Sequence, residues 1–141
     1  MRVVVTGGAG YIGSVVVETL LAERHDATVY DDLSEGHRDA VPVAATLVEA
    51  DLLERARLAA TLRAARAEAV VHMAAIGRVA EAVVNPAKCY RVNVVGGLAR
   101  LDAMREAGVR RITAAVGARR PGDQDLAEII ASAWTFATSC A

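Results

Sequence analysis

The chain has 141 residues, 54% of them hydrophobic and only 4% aromatic, and its formal net charge is -1 at neutral pH. That length suits one domain with a buried core, and a near-neutral chain whose basic residues are scattered argues against nucleic acid and anionic membrane as partners. No apolar run reaches the roughly 20 residues of a membrane span, and Cys89 and Cys140 form no spaced motif, so the expectation is a cytoplasmic protein with reduced thiols.

Residues 2–6 form a short β-branched run without alternation, as in a parallel strand buried on both faces. Glycines at 7, 8 and 10 end it, and apolar residues recur at helical spacing over residues 11–24. Residues 27–30 supply a second strand that ends at Asp31. Residues 32–45 carry Gly36 and Pro42 and predict a loop with at most a short helix, leading to a third strand at 46–49. A helix over 54–67, a fourth strand at 69–73, a long helix over 86–107 closed by Gly108, and a fifth strand beginning over 109–113 complete the alternation. The pattern predicts an α/β fold: a Rossmann-type open parallel sheet of about five strands with helices on both faces and ligands at the carboxyl ends of the strands. Residues 1–116 make up this domain, 117–125 a polar connector, and 126–138 an amphipathic C-terminal helix.

Gly7, Gly10 and Gly13 lie between the first strand and the first helix. There small residues permit a tight turn, close approach of a pyrophosphate to backbone N–H groups, and close helix–strand contact. Asp31 follows eighteen residues after Gly13, near the spacing of about 20 for a carboxylate that accepts hydrogen bonds from an adenosine ribose. A carboxylate there repels a 2′-phosphate, which favours NAD over NADP. The lesser alternative is that Asp31 or Asp32 merely caps the following turn. Asp51 either faces an adenine edge or caps the next helix. His72 is either a base or a packed strand residue, and Asn93 either reaches toward the sheet or faces solvent.

The segments "VVVTGGAGYIGS" (3–14), "VYDDLSEGHRDAV" (29–41), "ADLLE" (50–54) and "AVVHMAAIGRVAEAVVNPAKCYRVNVVGGLARLDAMREAGVRRI" (69–112) together resemble the N-terminal half of the UDP-glucose 4-epimerases, in the extended short-chain dehydrogenase/reductase family. The resemblance implies a Rossmann fold that holds NAD, and in complete members the interconversion of UDP-glucose and UDP-galactose. It puts Gly7, Gly10, Tyr11, Ile12 and Gly13 at the pyrophosphate, Asp31 and Asp32 near the adenosine ribose, and Asp51 and Leu52 near adenine. Met73, Ala74 and Ala75 would line the path toward nicotinamide, and Asn93 matches an asparagine close to the cofactor.

The chain departs from that pattern after Ile112, where "TAAVG" follows at once. Relative to the family the strand is four residues, or about 13 Å, shorter, so Thr113 matches the family's catalytic hydroxyl residue in motif but not in place. The family's Tyr-x-x-x-Lys is also absent: Tyr11, Tyr30 and Tyr90 have no lysine four residues on, and Lys88 is the only lysine. The family's cofactor-contacting lysine corresponds to a place near Gly77. Residues 116–134 resemble the family's extreme C-terminal segment, which implies a UDP-sugar contact for Arg119 and Arg120. The sequence thus resembles a front half joined to a final helix with the middle missing. The expected function is NAD binding without full epimerase activity. The alternatives are an epimerase using other acid/base residues, and an interaction module docking through its C-terminal helix, with a homodimer as a further expectation.

Overall fold

A computed structural model of the chain describes residues 1–114. The connector 117–125, the helix expected over 126–138, Arg119 and Arg120 lie outside the described residues. Five strands, β1 (Arg2–Thr6), β2 (Asp26–Asp31), β3 (Thr46–Glu49), β4 (Ala69–His72) and β5 (Arg111–Ala114), form one sheet in the order β3-β2-β1-β4-β5. Every pairing is parallel, with Val4 opposite Thr28 on one side and Val70 on the other. The sheet grows outward from β1 in both directions, so the chain crosses over between β3 and β4 and leaves a topological switch beside the first strand.

Strand alternation divides the core in two. Val3, Val5, Val29 and Val71 pack with Val16, Val17 and Leu20 of α1 (Tyr11–Ala22), whereas Val4 and Val70 pack with Leu58 and Leu62 of α2 (Arg55–Ala64) and Ala103 and Met104 of α5 (Gly96–Ala107). Helices therefore cover both faces, as expected.

Three helix ends are built alike. Gly108 (φ +73°) closes α5 in a left-handed conformation, with Val109 N–H bonded to Met104 O. Arg24 (φ +60°) and Arg66 (φ +48°) close α1 and α2 the same way, through His25 N–H to Leu20 O and Ala67 N–H to Leu62 O. These Schellman closures stop α1 at Ala22 and α2 at Ala64, short of the expected 24 and 67. An arginine in the left-handed region leaves no glycine to mark the end.

The helix expected over 86–107 is interrupted. Pro86–Tyr90 (α4), with Asn85 accepting from Lys88 N–H, passes through wider π-type turns at Arg91–Val95 before α5 begins at Gly96. A further short helix, α3 (Val79–Val84), occupies a stretch for which the pattern predicts no helix. β2 starts one residue earlier than expected, β4 stops at His72 rather than at 73, and β5 runs Arg111–Ala114.

A Cβ on Gly13 would stand 2.0 Å from Gly7 O, and its nearest neighbours are all backbone. Gly13→Ala is therefore expected to unfold the chain or lower its melting temperature by well over 10 °C, at more than about 3 kcal/mol. Arg66→Gly should raise it by a few degrees, since relief of the left-handed conformation contributes about 1 kcal/mol. Thermal denaturation followed by circular dichroism checks both.

Candidate functional site

The carboxyl ends of β1, β2 and β4 converge on the loop of residues 7–10. Gly7 leaves β1 at φ +75°, its N–H donating to Tyr30 O at 2.9 Å. A Cβ there would strike Ala74 N at 2.4 Å and Met73 C at 2.6 Å, so the chain leaving β4 runs directly against the loop. Only glycine satisfies both demands. At the far end of the loop Gly13 lets the first turn of α1 close onto Gly7 O. Gly10, the residue before α1, sits at φ -77° and ψ 171° and offers no side-chain cap. The result is a twelve-residue helix whose N-terminal dipole end opens at the sheet's carboxyl edge, the geometry that stabilises a bound anion.

Asp31 is buried at the end of β2, and both carboxylate oxygens are engaged. Oδ2 accepts from Ala9 N–H and Oδ1 from Leu33 N–H, each at 2.9 Å. In this structure Asp31 holds the glycine loop in shape and starts the next turn, so the capping alternative is realised. Each oxygen retains a second lone pair that a ribose hydroxyl could use. Asp32 is exposed, its Oδ1 accepting from Ser34 N–H and Ser34 Oγ.

Asp51 takes a turn role. Its Oδ1 accepts from Leu53 N–H while its own N–H donates to Glu54 Oε1, just ahead of α2. Leu52 is buried beside Gly96, where a Cβ would stand 3.0 Å from Leu52 Cδ2. Asn93 reaches toward the sheet side: Oδ1 accepts from Ile76 N–H at 2.9 Å and Nδ2 donates to Ile76 O at 3.1 Å. The π-type turns carry this amide, which clamps the chain leaving β4. Met73 and Ala74 are half-buried and Ala75 is exposed. Tyr11 and Ile12 are exposed at the start of α1. Thr113 stands opposite Val71 in β5, on the α1 face of the sheet.

His72 is a packed residue. Its Nδ1 shares a 2.7 Å hydrogen bond with Thr6 Oγ1, and burial, with a smaller contribution from the Arg100 charge, pushes its pKa down to about 4. Arg100 is itself buried in α5, at a position that follows Gly96 and precedes Ala103 on the core-facing side. Its Nε and Nη1 have no hydrogen-bond partner. This arginine was missed in the sequence, although a charged residue in line with Gly96, Ala103 and Met104 signals it. The phenol of Tyr30 is buried and donates to Asp51 O, and burial raises its pKa to about 12. Among the described residues no group of His, Cys, Asp and Glu side chains is placed to hold a metal ion, and no helix is long and apolar enough to cross a membrane.

His72 is neutral in the fold at a pH where it would be protonated in the unfolded chain. The unfolded state therefore binds the extra proton between the two values, and stability falls as pH drops from about 6.5 toward about 4. Arg100→Met should raise the melting temperature at pH 7 and reduce this acid loss, because an unpaired buried charge is replaced by an apolar chain of similar length. Melts across pH 4–8 check the slope and the change.

The chain is matched over residues 3–129 by the model of the NAD dependent epimerase/dehydratase family. It is 41% identical over 129 residues to a UDP-glucose 4-epimerase of Corynebacterium glutamicum, covering 92% of this chain and 39% of that protein. Among solved structures it is similar to a Stenotrophomonas maltophila UDP-glucose-4-epimerase with bound NAD and formylated UDP-arabinopyranose (28% identity, TM-score 0.81, all of this chain and 48% of that one). It is likewise similar to a Brucella ovis UDP-glucose 4-epimerase in complex with NAD (35% identity, TM-score 0.77, 95% and 46%). The chain thus spans about two fifths of the Corynebacterium protein and under half of either solved chain. With a five-stranded parallel sheet, a glycine loop opening onto a helix N-terminus and a matched model that spans most of its length, this chain belongs to the NAD dependent epimerase/dehydratase family.

Proposed function

We propose that the chain binds NAD across the carboxyl ends of β1, β2 and β4, as the nucleotide-holding part of a UDP-glucose 4-epimerase-like protein. The observation that carries this is the uncapped N-terminus of α1 behind a loop that Asp31 clasps from the side. Backbone N–H groups around Gly10, Tyr11, Ile12 and Gly13 would take the pyrophosphate, with Gly7 keeping the floor low. Asp31 would accept from the adenosine ribose, with Asp32 near the same sugar, and the turn at Asp51 and Leu52 would border adenine. Met73, Ala74 and Ala75 would lead toward nicotinamide, and Asn93 would orient that wall by gripping Ile76. Bound NAD supplies a hydride acceptor and donor.

The same residues supply no tuned base for a sugar hydroxyl. Tyr30 is buried and its proton held by Asp51 O, and Tyr11 and Tyr90 are exposed without a lysine four residues on. In this proposal the 141 residues alone hold cofactor and do not carry out full epimerisation. Thr113, Arg119 and Arg120 remain the candidates for contact with a UDP-sugar.

Gly10→Asp separates fold from function. Its backbone angles suit a helix-capping aspartate, and a Cβ there meets only Gly7 O, at 3.4 Å. The variant should melt at or slightly above the parent temperature yet lose NAD binding, because its carboxylate stands where the pyrophosphate would. Calorimetry with NAD reads the loss, and a parent protein giving no heat at millimolar NAD overturns the proposal. UDP-galactose conversion should stay at background while NAD is bound.

A homodimer is favoured by one surface. Tyr90, Val94, Val95, Leu98 and Leu101, from α4 through α5, are between 48% and 70% exposed, an apolar row that a second copy would cover. Leu98→Glu should convert a sedimenting dimer to monomer, and a parent that is monomeric at about 100 μM would rule the dimer out.

A further inference from the structure

The two loops flanking the glycine loop are tied to each other across it. After β2, the chain lies against Ala9: a Cβ on Gly36 would stand 2.8 Å from Ala9 C, and His37 N–H donates to Ala9 O at 3.0 Å. After β4, Met73 and Ala74 lie against Gly7 from the other side. Because β1 stands between β2 and β4 in the sheet, a link between these loops spans the mouth above the glycine loop. Arg78 makes that link. Its Nη2 pairs with Glu35 Oε1 from the loop after β2 and lies 3.4 Å from Glu81 Oε2 in α3.

Three features make this pair a replaceable one. The Arg78 and Glu35 side chains are 66% and 49% exposed, so their attraction is weak and screened by salt. Glu81 also pairs with Lys88, so it stays neutralised when Arg78 leaves. Among the described residues Glu35 makes no other hydrogen bond or ion pair, lies only within the field of Lys88, and is exposed enough to hydrate. A diphosphate at the N-terminus of α1 would offer the guanidinium more negative charge than one carboxylate, in a geometry that suits bidentate pairing.

We propose that Arg78 is the cation that grips the diphosphate of a bound dinucleotide, and that Glu35 holds it across the mouth until the diphosphate displaces the carboxylate. This rests on the proposed NAD site. Glu35 acts here as a built-in competitor that lowers affinity and keeps the two loops joined between binding events.

Calorimetric NAD titrations of the parent, Glu35→Gln and Arg78→Gln, with melting in inorganic pyrophosphate as a second probe, test the exchange. Glu35→Gln should tighten NAD binding about two- to fivefold at low salt, with the gain shrinking at high salt. Arg78→Gln should weaken it by about tenfold, with Arg78→Lys recovering part of the loss. Unchanged affinity in either glutamine variant overturns the proposal. If the parent binds no NAD, the function proposed above fails instead, and pyrophosphate decides the exchange: thermal stabilisation that requires Arg78 sustains it, and none overturns it.

Discussion

The first turn of α1 sits so close to the end of β1 that a single methyl group at Gly13 would overlap the carbonyl of Gly7. Everything at the carboxyl edge of the sheet depends on that approach. It aims the helix N-terminus at the edge, lets α1 lay Val16, Val17 and Leu20 onto Val3, Val5 and Val29, and leaves room for β4 to deliver Met73 and Ala74 against the back of the loop. Bulk on either glycine would lift the helix off the sheet and remove both the packing and the anion-directed dipole.

Around this contact the polar groups act first on the protein itself. Asp31 spends an oxygen on Ala9 N–H, Asn93 uses both ends of its amide on Ile76, and Asp51 shapes the turn before α2. For Asp31 and Asp51 cofactor contact and turn formation both stand as expectations, and for Asn93 cofactor contact, a reach toward the sheet or a solvent-facing side chain; the structure has the two turns and the clamp on Ile76. The two roles are compatible, because a carboxylate oxygen or a rigid loop that is already oriented needs no rearrangement when a ligand arrives. A site assembled this way is preorganised by its own backbone hydrogen bonds.

Arg100 and His72 show the opposite economy. A guanidinium without partners on two nitrogens and an imidazole pushed toward its neutral form share the interior beneath the sheet's carboxyl edge. His72 makes the domain less tolerant of acid, since desolvation disfavours its charged form and the Arg100 charge adds to that shift.

The sequence by itself determined the strand and helix alternation, the parallel sheet and the position of the glycine loop. These are local consequences: β-branched runs buried on both faces, glycines where the chain must bend, and Gly108 at a helix end. Where an end depends on glycine it is legible, and α5 stops where expected. Where arginine adopts the same left-handed conformation, at Arg24 and Arg66, the boundary is decided by the packing that follows and is illegible beforehand. The π-type turns at Arg91–Val95 are also tertiary, placed where Asn93 meets Ile76 seventeen residues away. The tie between Glu35 and Arg78 spans 43 residues. Only a fold that sets β1 between β2 and β4 could bring them together, because no local pattern encodes which two loops will face each other across a third.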